Sequence, residues 1–250
     1  MQLVAAIHRW AGGLIGLLLA LLGLTGALLL WKGAWLRLTV PMAEDVVQTD
    51  PATLGELTQN ILAGSAHKPT SIVFADNDIA VHTVRTGADS GFYADANGTA
   101  IASWDNIWAR LEIFLFDLHH HLLAGEAGET VSGIAGLAGL GFIITGMILW
   151  WPTRRTLRLR LWPARMTRPA IIRQHRDMGV VLAPLLFLTM LTGVIMTLKP
   201  VAALLLSPLS SATEMEAALE PPKMTAGPTD NADWLGIMAA AQARFPDATV

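Results

Sequence analysis

Charged residues are absent from three long stretches of the chain: 22 positions between Arg9 and Lys32, 24 between Glu129 and Arg154, and 21 between Asp177 and Lys199. Crossing a hydrocarbon layer of about 30 Å takes about 20 apolar residues at a rise of 1.5 Å each. Lipid offers such an isolated segment only the helix, because every backbone polar group must be satisfied internally. The pattern predicts transmembrane helices over residues 10–31, 131–151 and 178–198. Trp10, Trp31, Trp35, Trp150 and Trp151 stand at their ends, where amphipathic rings settle at a membrane surface. Buried helices of a soluble protein rarely run this long without a polar face. The first apolar run is too long for a cleaved signal and no small-residue cleavage site follows it, so it reads as a retained anchor.

Between the first two spans the period changes. Residues 42–105 read as a small α+β module. Thr53-Leu-Gly-Glu56 has the form of a capping box opening a helix with Leu54, Leu57, Ile61 and Leu62 on one face. Strands are expected at 71–74, 79–85, 91–94 and 99–103, with Asn97-Gly98 as the last hairpin turn. Asp76-Asn77-Asp78 fits a tight turn better than a cation site. Residues 107–123, with Trp108, Phe114 and Phe116, read as an amphipathic interfacial helix. After the third span, 232–244 reads as a helix and Phe245-Pro-Asp as a turn into a strand. Residues 224–250 therefore resemble the start of a second such module, so a natural C-terminus beyond residue 250 is expected.

Composition sharpens the class. Hydrophobic residues make up 53% of the 250 residues and charged residues 15%, against about 25% charged in soluble domains. There is no Cys, which excludes disulfides, thiolate-held clusters and covalently attached c-type haem. The net charge of −3 hides a segregation. Residues 152–177 hold Arg154, Arg155, Arg158, Arg160, Arg165, Arg168, Arg173 and Arg176, and the first acid is Asp177. Residues 32–130 carry five basic and thirteen acidic residues. The positive-inside rule then puts the Arg loop and the N-terminus in the cytoplasm and the module outside. The same rule accounts for the Arg run without nucleic acid as a partner. No nucleotide-binding glycine loop, Ser-His-Asp order or H-E-x-x-H motif is present.

The first and third spans repeat at an offset of 167: His8-Arg9 matches His175-Arg176, Gly12 matches Gly179, and Thr25-Gly26 matches Thr192-Gly193. The second span also ends in Thr145-Gly146. Agreement at five positions in register points to duplication. It sets two histidines at equivalent depth, and two imidazoles from adjacent helices can supply both axial ligands of a b-type haem. Arg9 and Arg176 are then candidates to pair with propionates, or are plain positive-inside anchors. His119, His120 and His121 precede the second span. Successive residues turn by about 100° on a helix, so only one or two of them can serve one site. His67 and His82 have no partner visible in sequence. The dense glycines of the spans fit close helix packing and also leave room for a flat macrocycle.

Several of these stretches resemble the PepSY-associated transmembrane family. They are H-R-W-A-G-G-L-I-G with L-T-G in the first span, F-D-L-H-H-H-L-L-A-G-E-A-G leading into G-I-A-G-L and T-G-M-I-L-W-W-P, and R-Q-H-R-D-M-G at the third. The resemblance covers essentially the whole chain. It implies an α-helical membrane protein with α+β PepSY-like modules on the periplasmic side of a bacterial inner membrane. It also implies a fourth span beyond residue 250. Some members are iron-regulated, and characterised ones include ferric-siderophore reductases with two b-type haems held by span-end histidines. Carried over, one haem lies between His8 and His175. The second uses the first His of L-H-x-x-L-L, which is His119, with its partner from the fourth span; His121 is the further candidate in that run.

Two classes of function follow. One is a haem protein passing electrons across the membrane from a separate cytoplasmic or membrane donor to an outer acceptor, a ferric siderophore being the most concrete. The other is a membrane-tethered PepSY binding or regulatory module without redox activity, or a structural subunit of an iron-uptake system. The paired histidines discriminate, since a tethered module has no need of them.

Overall fold

The computed structural model describes residues 1–40, 50–65, 67–76, 79–208, 211 and 232–245. Asn77 and Asp78 of the expected turn, most of the segment leading into 232, and the strand expected after Phe245 lie outside the described residues. The described residues are mostly helical, with one small antiparallel sheet among them. The chain divides into two compact units: Met1–Gly26 with Asp117–Pro221, and Ala27–Phe116 with Pro222–Val250.

Among the described residues three helices are long and apolar enough to cross a membrane: α1 (Gln2–Leu29), α5 (Gly125–Trp150, continued by a 3₁₀ turn to Thr156) and α6 (Arg168–Thr197). Leu14 and Leu17 of α1 are 81% and 77% exposed. Apolar side chains this open along a whole helix belong against lipid rather than water. Each of the three helices extends past its charge-free stretch, α1 to Gln2 and α6 back to Arg168, so His8 and His175 sit inside helices.

α5 and α6 pack antiparallel along a glycine stripe. A Cβ at Gly133 would meet Thr197 and Leu198, one at Gly136 would meet Val194, and one at Gly139 would meet Met190, all within 3.0 Å. The pairings run in opposite directions along the two helices, and any larger residue would force them apart. Pro184 lies inside α6 and removes one backbone hydrogen bond there. α7 (Lys199–Leu206) follows directly.

The second unit contains α2 (Lys32–Thr39), α3 (Pro51–Gly64) and a four-stranded meander, β1 (Ser71–Val73), β2 (His82–Arg85), β3 (Gly91–Ala94) and β4 (Ala100–Trp104). Spatial order follows chain order and every pair is antiparallel. Alternation along β3 divides the sheet into two faces. Tyr93 packs with Leu36, Val40, Val81 and Trp104 on one face. Ala94 packs with Leu54, Leu57, Ile61 and Val84 on the other, against α3. The Asn97-Gly98 turn forms as expected: Gly98 has φ +85°, and Asp95 Oδ1 accepts the amides of Asn97 and Thr99 at 2.9 Å.

Two helix starts differ from expectation. α3 is capped by Asp50, whose carboxylate accepts Thr53 N–H at 3.1 Å, with Pro51 in the first turn where no amide is needed. Thr53 is therefore inside the helix and not its cap. α4 (Leu111–His121) begins four residues later than the apolar pattern suggests, because Asn106 Oδ1 captures Trp108 N–H at 2.9 Å and holds 106–109 in a turn. α8 (Trp234–Arg244), capped by Asp233, packs on α3, where a Cβ at Gly55 would come within 2.9 Å of Leu235 Cα.

The α4–α5 connection places the histidine run. Leu122 and Leu123 adopt left-handed φ of 49° and 60°, and Ala124 N–H donates to His121 O at 2.8 Å. The chain closes so tightly that a Cβ at Gly128 would lie 1.6 Å from His121 O. Only glycine fits there.

Candidate functional site

His8 and His175 meet. Their ring centroids are 6.4 Å apart with planes inclined by 58°. Both line one cavity of about 620 Å³ between α1, α5 and α6, a volume within the roughly 300–1,000 Å³ of cofactor sites. Arg9 and Arg176 line it too, with Trp150 at the same end. Trp150 Nε1 is buried without a hydrogen-bond partner among the described residues. The cavity wall is largely apolar, and it includes Phe142, whose ring stands edge-on to His8 at 5.8 Å.

The glycines of the spans divide into two groups. Gly133 and Gly136 serve helix packing, as above. Gly12, Gly16 and Gly179 line the cavity, and a Cβ at any of them would meet no atom within 4 Å. Those three hold volume open rather than bringing helices together.

Each imidazole has a defined partner or lacks one. His8 Nδ1 lies 2.8 Å from Thr145 Oγ1. The His175 ring has no hydrogen bond to any described residue. Arg176 is already engaged: its Nε donates to Asp177 Oδ1 at 2.7 Å. Asp177, 2% exposed, also accepts Arg158 N–H at 3.2 Å. The acid that ends the Arg run thus ties the loop to α6 and neutralises one of its cations. Arg9 lies over the Trp10 ring at 5.9 Å.

The second group of candidates stands apart from this cavity. His119 Nδ1 contacts Thr25 Oγ1 at 3.1 Å and Leu22 O at 3.0 Å. His121 Nδ1 pairs with Asp117 Oδ1 at 2.9 Å. His120 lies between them, 5.5 Å from the His119 ring and 6.1 Å from that of His121. Burial, then its two histidine neighbours, lower its pKa below the usual imidazole range, with Glu129 opposing. The run therefore presents its rings in different settings, as the helical turn requires. His82 is structural: its Nδ1 accepts Ala75 N–H at 3.0 Å and its ring stands edge-on to Phe74 at 5.9 Å. Among the described residues no group of three or more His, Cys, Asp or Glu converges as a bare metal ion would need.

Sequence reasoning singled out the threonines only as repeat markers. The structure puts Thr145 and Thr25 on histidines of other elements. Asp177 and Trp150 were missed as well, since neither a lone acid nor an interfacial Trp announces its partner in a sequence.

Three membrane-crossing helices with a small α+β unit in the loop define a polytopic membrane protein with an appended globular module. The chain belongs to the family described as the PepSY-associated TM region, whose model matches residues 5–248. No curated protein and no solved structure matches it.

Proposed function

We propose that this protein is a b-type haem protein of a bacterial inner membrane that passes single electrons to an acceptor on the periplasmic side, with a ferric siderophore as the acceptor. The observation that carries the reading is that His8 and His175 come together as lining residues of one glycine-lined cavity. Their ring centres are 6.4 Å apart, close enough that both imidazoles could serve one metal ion. The donor set fits a b-type haem held by two neutral imidazoles, which takes no thiolate and no covalent attachment.

Bound haem would supply reversible one-electron storage. The chain's own residues supply the rest. His8 and His175 would hold the iron. Arg9 is the candidate donor for the propionates. The Phe142 side chain and the open glycine faces keep the ring's surroundings apolar, which governs the potential. The Arg loop is taken as cytoplasmic by the positive-inside rule, so this haem lies nearer the cytoplasmic donor, a separate reductant. A layer about 30 Å thick favours a second haem in series. His119 is its candidate ligand. Reduction of ferric to ferrous iron at the outer surface would weaken a hard-oxygen chelate and release the metal.

The test is the absorption spectrum of full-length protein purified from haem-supplied cells. A Soret band that shifts on dithionite reduction supports the reading. A colourless protein overturns it and leaves the tethered module.

A further inference from the structure

We propose that Thr145 and Thr25-Gly26 are histidine cradles: each threonine fixes the tautomer of an imidazole from another element, and Gly26 makes room for the His119 ring. The inference rests on the haem reading for its purpose, but its geometry stands independently.

Thr145 Oγ1 donates its proton to backbone carbonyls of its own helix, Gly141 O at 2.8 Å and Phe142 O at 3.2 Å. A hydroxyl has one proton, so with that proton on a carbonyl of its own helix it accepts from His8 at 2.8 Å, the arrangement proposed here. His8 Nδ1 therefore carries the hydrogen and Nε2 the lone pair. The same logic holds at the other end of α1. Leu22 O, a pure acceptor, lies 3.0 Å from His119 Nδ1. Thr25 Oγ1, at 3.1 Å, has its own proton directed to Leu21 O at 2.9 Å and Leu22 O at 3.1 Å. His119 is again protonated on Nδ1, with Nε2 left as the atom available to a metal.

The glycines match in position and differ in need: a Cβ at Gly26 would crowd His119 Cε1 at 2.8 Å, whereas one at Gly146 would meet His8 Cε1 at an ordinary 3.4 Å. In both cradles the edge of the ring between its two nitrogens passes over the glycine that follows the threonine. The arrangement is reciprocal. α1 presents His8 to the cradle on α5, and offers its own cradle to His119, which precedes α5. The sequence separations are 137 and 94 residues, so the likeness is one of geometry and not of local sequence. Thr25 is 3% exposed, so its contact is shielded from competing water.

A hydrogen bond accepted from Nδ1–H orients a ligand imidazole and raises its basicity, and losing such a partner commonly costs about 10- to 100-fold in metal affinity. Thr145 is thus a positioning residue, acting through His8. Thr25 shares its task with Leu22 O, so its replacement should have the smaller effect.

The test has two parts. In protein labelled with ¹⁵N-histidine and prepared without haem, the His8 resonance, identified by its absence in His8→Ala, should report Nδ1–H and unprotonated Nε2. Thr145→Val should mix the tautomers, and Thr145→Ser should restore the wild-type signal. In haem-loaded protein Thr145→Val should raise the midpoint potential and weaken haem binding, Thr145→Ser should recover both, and Thr189→Val, which removes only a back-bonded hydroxyl, should change neither. An Nε2–H tautomer of His8 in the wild type overturns the cradle. So does a Thr145→Val protein with wild-type tautomer and potential. A colourless wild type with the expected tautomer would sink the haem reading and leave the cradle standing.

Discussion

Asp177 and Arg176 are neighbours in sequence and partners in space, with Arg176 Nε 2.7 Å from the buried Asp177 carboxylate. The pair sits beside His175 at the end of the cavity, and its charges largely cancel there. Arg9, which also lines the cavity, has no carboxylate partner among the described residues.

The cavity-lining glycines should tolerate size poorly for binding and well for folding. In Gly179→Leu the side chain enters the cavity, and haem affinity should drop about tenfold or more, in line with overpacking costs of roughly 1–3 kcal/mol. Gly13→Leu, equally open but off this cavity, should bind as the wild type does. Titration of both apoproteins with haem, with helix content checked by circular dichroism, reads the difference.

In the module, Glu112 is buried at 6% exposure and ion-paired to Arg110, while Tyr93 Oη donates to it at 3.2 Å. Burial and the Glu112 charge push the Tyr93 phenol far above its ordinary pKa, so it stays a donor. Arg110→Met strands a buried carboxylate and should destabilise the module by about 3–5 kcal/mol. Tyr93→Phe leaves the ion pair and should cost about 1 kcal/mol. Denaturant unfolding followed by near-ultraviolet circular dichroism gives the ordering; equal effects would contradict it.

Burial lowers the His82 pKa below its usual 6.5, with Asp95 opposing, and the ring must be neutral to accept Ala75 N–H. Between the folded and unfolded pKa values the unfolded chain binds the extra proton. The contribution is therefore complete above pH ~6.5 and declines as pH falls below it, by at most about 1.4 kcal/mol per unit. Hydrogen-exchange protection of β2 and β3, corrected for intrinsic rates, should weaken from pH 7.5 to 5.5. His82→Phe should remove that dependence.

Much of this was legible because lipid and the strand pleat both impose strict periods. Charge-free runs marked the spans, and alternation with Asn97-Gly98 marked three strands of the meander to within one residue, while β2 begins three residues later than expected. The capping of α3 was misread because Asp50-Pro51 and Thr53-Glu56 are both valid starts, and only the Thr53 amide's choice of Asp50 decides between them. In the site, the offset of 167 brought His8 and His175 into one argument. Thr145 on His8 and Thr25 on His119 stayed hidden, since a hydrogen bond across 137 or 94 residues has no local signature. The divided roles of the glycines depend on which face of each helix meets a neighbour, which spacing alone leaves open.

The central claim is that His8 and His175 hold one haem between them. Haem content and low-spin signal of purified His8→Ala and His175→Ala, measured by pyridine haemochrome and electron paramagnetic resonance, test it most directly. Both variants should lose the same six-coordinate low-spin haem. Wild-type haem content and an unchanged low-spin signal in either one would contradict the account.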